Sequence, residues 1–202
     1  MRLIVVSPPT TIPHELATLD ALFRNGLESY HLRKPEMKRA AYRDYLEGVN
    51  PRFRSRIMIH SHHDLIHDLT LKGVHYTEKT KPLELTPHPT GCLQSAAFHS
   101  LHQLREAPSR FSHGLDYALL SPVFDSISKK DYQSAQFDRN ELRSVLQAVT
   151  FSVYALGGVE VTKLEELKAL GFTGVAVLGA IWESPDPLSS FRAIQEKCTS
   201  DS

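Results

Sequence analysis

Residues 151–181 read FSVYALGGVEVTKLEELKALGFTGVAVLGAI. Two short apolar runs, Phe151 to Leu156 and Gly174 to Leu178, flank a stretch with Val161, Leu164, Leu167 and Leu170 at helical spacing. The flanking runs have the length and composition of buried strands. The middle stretch places its apolar positions on one side of a helix and stops at Gly171. A helical crossover returns the chain to the same end of a sheet, so the two strands are parallel. Each strand runs into glycine: Gly157-Gly158 after the first, Gly179 after the second.

The same alternation extends back to the N-terminus. Strands are expected at Leu3 to Val6, Tyr30 to Leu32, Ile57 to Ile59, Val74 to Tyr76, Gln94 to Phe98 and Tyr117 to Leu120. Helices are expected over His14 to Asn25, Met37 to Val49, Asp64 to Leu71, Leu101 to Ala107, Arg139 to Ala148 and Leu188 to Cys198. Pro82, Pro87 and Pro89 argue against a helix between Lys79 and Gly91. Eight strands alternating with helices predict an α/β fold, a single-domain (β/α)8 TIM barrel over residues 1–202, near the minimal length for that architecture. A doubly wound open sheet is the other arrangement such alternation permits.

Composition narrows the function. The chain has 23 basic and 23 acidic residues and no formal net charge, which argues against a general electrostatic grip on nucleic acid. No apolar run approaches the roughly 18 residues of a membrane span. Residues 1–9 do not read as a signal peptide, because Pro8 and Pro9 interrupt a short apolar run. Cys92 and Cys198 show no metal or redox spacing, so free thiols in a cytoplasmic protein are expected.

In a barrel, function gathers at the C-terminal ends of the strands. There the sequence places Ser7, the group His31, Arg33 and Lys34, the run His60-Ser61-His62-His63, then Thr77 and Glu78, His99 and Ser100, and Ser121. Gly157, Gly158, Leu178, Gly179 and Ala180 follow strands seven and eight, where barrels often bind phosphate. Glycine lets backbone N–H groups approach phosphate oxygens, and a short helix from Ala180 to Glu183 would aim its N-terminus at them. The alternative reading is that these glycines only permit tight turns. Ser126, Ser128, Lys129 and Lys130 form a second anion candidate in the loop 125–138, where a solvated polar loop is the plainer alternative. Arg33 and Lys34 are expected to face the same mouth. The histidine run lacks a carboxylate or cysteine at a spacing that completes a zinc site, so polar contacts to a ligand are the expected role of His60.

Several of these stretches occur together in one known family. They are Tyr30-His31-Leu32-Arg33-Lys34-Pro35, Gly73-Val74-His75, Phe98-His99-Ser100, Ser121-Pro122-Val123-Phe124-Asp125-Ser126-Ile127-Ser128-Lys129-Lys130-Asp131, Ala155-Leu156-Gly157-Gly158-Val159 and Gly174 to Ile181. In this order the chain resembles the thiamine phosphate synthase family, which includes the thiazole tautomerase branch called TenI. The resemblance implies a (β/α)8 barrel. It also implies a transferase that joins hydroxymethylpyrimidine diphosphate to hydroxyethylthiazole phosphate and releases diphosphate. By match of position, Arg33 and Lys129 would hold the diphosphate, with Lys34 beside them. His31 stands where the family has a glutamine next to the pyrimidine. Ser126, Ser128, Gly158, Leu178 and Gly179 would hold the thiazole phosphate.

The resemblance further implies Mg²⁺ as cofactor, held by two aspartates. Their positions fall at Ser61 and Thr80 in this sequence, and the asparagine before the first is His60. Asp64 and Glu78 are the nearest carboxylates that would have to substitute. Pro35 replaces a lysine and Ala97 a serine. Pro122 stands where the tautomerase branch would carry its working histidine. A tautomerase, or a binder of phosphorylated ligands without catalysis, are therefore the alternatives. The expected partners are small phosphorylated thiazole and pyrimidine substrates, with no nucleic acid and no membrane, in a possible homodimer.

Overall fold

Arg2–Val6 forms strand β1, and its edges pair with the second and the last strands of the chain. The remaining strands are β2 (Tyr30–Leu32), β3 (Ile57–Ile59), β4 (Gly73–Tyr76), β5 (Leu93–Phe98), β6 (Tyr117–Leu120), β7 (Ser152–Leu156) and β8 (Gly174–Val177). All eight pair in parallel and in chain order, and β8 closes on β1, so the sheet is a closed barrel. This computed structural model describes residues 1–85, 88, 91–111, 114–124 and 137–200. The expected open-sheet alternative is excluded by the β1–β8 pairing, which joins Arg2 to Gly174 through Val5 to Val177.

Helices follow most strands: α1 (Glu15–Arg24), α2 (Arg39–Gly48), α3 (Pro51–Arg54), α4 (Leu101–Arg110), α5 (Arg139–Ala148), α6 (Leu164–Leu170), α7 (Gly179–Trp182) and α8 (Pro187–Thr199). Their ends follow local chemistry. Ser100, Asp138 and Asp186 each accept a backbone N–H at a helix start. Gly171, at φ 104°, ends α6 in the left-handed region.

Three expectations need correction. The segment expected as a helix from Asp64 to Leu71 is a 3-10 turn over His63–His67, in which the Leu65 and Asp68 N–H groups bond carbonyls three residues back. The helix expected from Val161 opens with a 3-10 turn before α6. The helix expected to stop at Ala107 continues through Pro108 to Arg110, because the Phe111 N–H closes onto the Ala107 carbonyl. Between Lys79 and Gly91 the described residues hold no helix, as the prolines required.

Two apolar cores result from the alternation of each strand. One lies between barrel and helices and includes Tyr30, Leu32, Ile57, Ile59 and Val74. The other fills the barrel with Ile4, Val6, Met58, Tyr117, Leu119, Tyr154 and Ala176. His31 on β2, His75 on β4 and Ser95 on β5 are polar instead and all buried, with Leu93 of β5 packed on the interior cluster. Gly73 allows β4 to lie close to β5, since a Cβ there would sit 2.0 Å from the Leu93 carbonyl oxygen. No helix among the described residues is long and apolar enough to cross a membrane.

Candidate functional site

The mouth of the barrel is built where β1 and β2 end. Ser7 leaves β1 buried, and its hydroxyl bonds the Arg33 backbone twice: it accepts from the N–H at 2.7 Å and donates to the carbonyl at 3.0 Å. The Arg33 side chain is left exposed. Its charge adds a lesser repulsion to the buried imidazoles of His60 and His75.

Lys34 does not join it there. Its Nζ lies 2.8 Å from Glu15 Oε2 and donates to the Thr10 carbonyl at 2.9 Å. Both side chains of this ion pair are 1% exposed. Glu15 also accepts from the hydroxyl of Tyr45 at 2.7 Å and from that of Tyr30 at 3.3 Å. The expectation of Lys34 as a mouth residue is therefore corrected: its ammonium is taken up between β2, α1 and α2, where it satisfies a buried carboxylate.

The interior carries a linked set of imidazoles. Nδ1 of His31 is 3.0 Å from Nε2 of His60, and Nε2 of His31 is 2.6 Å from the Tyr117 hydroxyl. A neutral imidazole has one donor and one acceptor nitrogen, so Tyr117, His31 and His60 form a chain in which all bonds reverse together. His75 stacks on His60 with ring centroids 4.1 Å apart, and its Nδ1 bonds Ser95 Oγ at 2.8 Å. Burial is the main cause that keeps all three imidazoles uncharged; repulsion from His75 adds to it at His31 and His60, and from His63 and Lys81 at His75. It pushes His75 down to about 3.

His62 and His63 belong elsewhere. His62 takes a left-handed backbone, at φ 52°, and its Nε2 donates to the Met37 carbonyl. His63 enters the 3-10 turn and packs against Tyr76. The sequence reading missed Tyr117 and Lys81. Tyr117 alternates with Leu119 along β6, and that period of two is the signal that places both inside. Lys81 lies over the Phe98 ring and donates to the Ala97 carbonyl, in a segment without regular pattern that gave no signal.

At the end of β7, one strand beyond the β8 that closes on β1, Gly157 and Gly158 have φ of 95° and 61°. A Cβ on Gly157 would meet Pro122 Cα at 3.0 Å, so the β7 turn is packed against the end of β6. Leu178 precedes α7, and the N–H groups of Gly179 and Ala180 open that helix, ahead of any intrahelical bond. The two glycine turns thus stand side by side on adjacent strands. Ser126, Ser128, Lys129 and Lys130 lie outside the described residues.

The expected Mg²⁺ ligands do not fit that ion. Ser61 and Thr80 offer neutral hydroxyls, and the Thr80 oxygen is already bonded to the Thr77 N–H at 2.9 Å. Asp64 is held by Arg39, and Glu78 accepts from Lys81 at 3.0 Å. Mg²⁺ demands oxygen ligands, usually with one or two carboxylates. The nearest buried donors here are imidazole nitrogens.

Residues 3–181 match the family model described as thiamine monophosphate synthase. The chain belongs to the thiamine monophosphate synthase family. Within that family it is similar to a putative thiamine-phosphate synthase of Geobacter sulfurreducens, 25% identical over 89% of this chain and 84% of that one. It is similar also to a thiamine-phosphate synthase of Desulfitobacterium hafniense (strain Y51), 26% identical over 90% of this chain and 88% of the other. A solved thiamine phosphate pyrophosphorylase of Bacteroides thetaiotaomicron superimposes over the full length of both chains, with TM-score 0.82 and 27% identity.

Proposed function

We propose that the protein is a thiamine phosphate synthase-like transferase. It would couple hydroxymethylpyrimidine diphosphate to hydroxyethylthiazole phosphate. The observation that carries this reading is the family match across residues 3–181, on a closed barrel with Arg33 at the end of β2 and two adjacent glycine turns at the ends of β7 and β8. That layout suits two phosphorylated substrates bound at one opening. Cleavage of the pyrimidine methylene's C–O bond sends its electron pair to the diphosphate. The thiazole nitrogen then donates its lone pair to the carbon cation. Such a reaction needs positive charge on the leaving group more than it needs a base.

Arg33, fixed by Ser7, would meet the departing diphosphate, with Lys129 as its expected partner. His31 and His60 would lie beneath the pyrimidine. Gly157, Gly158, Leu178, Gly179 and Ala180 would present backbone N–H groups to the thiazole phosphate. Two free thiols, Cys92 and Cys198, are in keeping with a cytoplasmic enzyme. Nothing in the site favours the tautomerase, whose histidine position is Pro122.

The test is direct. Purified protein receives both substrates with Mg²⁺, and thiamine phosphate is followed over time. Product well above a no-enzyme control is expected. No product would overturn the transferase reading, and calorimetry with the thiazole phosphate alone would then identify a non-catalytic binder.

A further inference from the structure

The transfer reaction asks no acid–base work of the three interior imidazoles, and their grouping has a chemistry of its own. His31, His60 and His75 come from three consecutive strand segments, and each is buried. One ligand nitrogen from each lies within 4.8 Å of the other two. We propose that these three histidines bind one divalent transition-metal ion, Zn²⁺ by preference, with a fourth position open towards the mouth. This goes beyond the transferase reading and stands whatever the outcome of that assay.

Two features carry the inference. First, outer hydrogen bonds orient two of the rings. Tyr117 holds Nε2 of His31, and Ser95 holds Nδ1 of His75. Metal-bound histidines almost always use their second nitrogen in this way. Second, the nitrogens left over are Nδ1 of His31, Nε2 of His75 and, from His60, the Nε2 already 3.0 Å from His31. Nitrogens on one tetrahedral zinc, at ~2.0–2.1 Å from it, stand roughly 3.3 Å apart, so the pair needs little movement.

Three imidazoles with an open place is the ligand pattern of catalytic zinc sites, and imidazole suits Zn²⁺ where Mg²⁺ is poorly served. No carboxylate belongs to the cluster, so the ion would retain its double charge. With Arg33 nearby, that charge favours an anionic oxygen as fourth ligand.

The experiment uses the full chain stripped with a chelator and titrated with Co²⁺, then with Zn²⁺ in competition. The expected result is one Co²⁺ per chain with the visible absorption of a four-coordinate centre, displaced by an equivalent of Zn²⁺. His60→Asn and His75→Gln should each weaken binding at least about tenfold and lose the band. Both replacements keep a polar, hydrogen-bonding side chain, and circular dichroism without metal checks that each barrel is folded. His67→Ala, at the surface pair formed with His88, should bind as the parent does. Absence of the band in the parent would overturn the proposal, leaving the cluster a hydrogen-bonded core. So would equal affinity in the folded His60→Asn and His75→Gln variants. The readout is spectroscopic, so it is independent of thiamine phosphate formation.

Discussion

Ser7 and Arg33 exchange two hydrogen bonds between one hydroxyl and one peptide unit: the N–H of Arg33 donates to Oγ at 2.7 Å, and Oγ donates to the Arg33 carbonyl at 3.0 Å. The end of β2 is thereby tied to the end of β1 where the exposed guanidinium leaves the barrel. Ser7→Ala removes both bonds and leaves buried backbone groups unpaired. The expected cost is about 1 kcal/mol in positioning, or roughly fivefold in diphosphate affinity. Calorimetry with inorganic diphosphate checks it, and an affinity equal to the parent's would mean Arg33 needs no such tether.

The Lys34–Glu15 pair predicts an asymmetric response to mutation. Glu15→Gln alone strands a buried ammonium and should cost about 3–5 kcal/mol in urea unfolding. Adding Lys34→Met removes the stranded charge and should restore most of the loss. The double variant should also bind diphosphate like the parent. Weaker binding would return Lys34 to the mouth.

The β7 turn responds to any side chain at Gly157. Its φ of 95° and the 3.0 Å approach of Pro122 both oppose a Cβ, so Gly157→Ala should destabilise by about 1–2 kcal/mol or more. Gly158→Asp is different, because aspartate tolerates the left-handed region. There the fold should persist while a carboxylate in the cradle abolishes binding of the thiazole phosphate. Unchanged affinity would place the cradle elsewhere.

Acid should weaken the metal-free protein through its interior imidazoles. In the unfolded chain a histidine titrates near 6.5. The folded chain holds His31, His60 and His75 uncharged far below that, His75 to about 3. Between these limits the unfolded state binds more protons, so stability is full above about 6.5 and falls as pH falls. From pH 7 to pH 5 each such group accounts for roughly 2 kcal/mol. His75→Gln should reduce the loss by about that amount in denaturant titrations. An identical loss in both proteins would contradict the burial of His75.

Much of this architecture is written locally. Leu3 to Val6, Ile57 to Ile59 and Gly174 to Leu178 are too short and too apolar to be anything but buried strands, and Gly171 stops the helix before the last of them as Gly26 stops the one before Tyr30 to Leu32. The site is less local. Whether Lys34 faces the mouth or the helices depends on Glu15, a residue of α1 that reads as surface and is buried. The histidine run 60–63 is contiguous in sequence and divided in space: after the left-handed turn at His62, that ring bonds the Met37 carbonyl and His63 packs on Tyr76. His60 instead meets His31 and His75, which neighbouring strands bring alongside it. Parallel strand order, which single positions do not reveal, decides which imidazoles meet.

The barrel interior is unevenly furnished: β1, β6, β7 and β8 contribute Ile4, Val6, Leu119, Tyr154 and Ala176, while β2 to β5 contribute His31, His75 and Ser95, with Met58 among them and His60 just past β3. Consecutive strands are neighbours, so the hydrogen-bonding groups occupy one arc of the wall, which Tyr117 joins from β6. One contiguous stretch of chain, residues 30–98, supplies that arc, and the residues before and after it supply the apolar one.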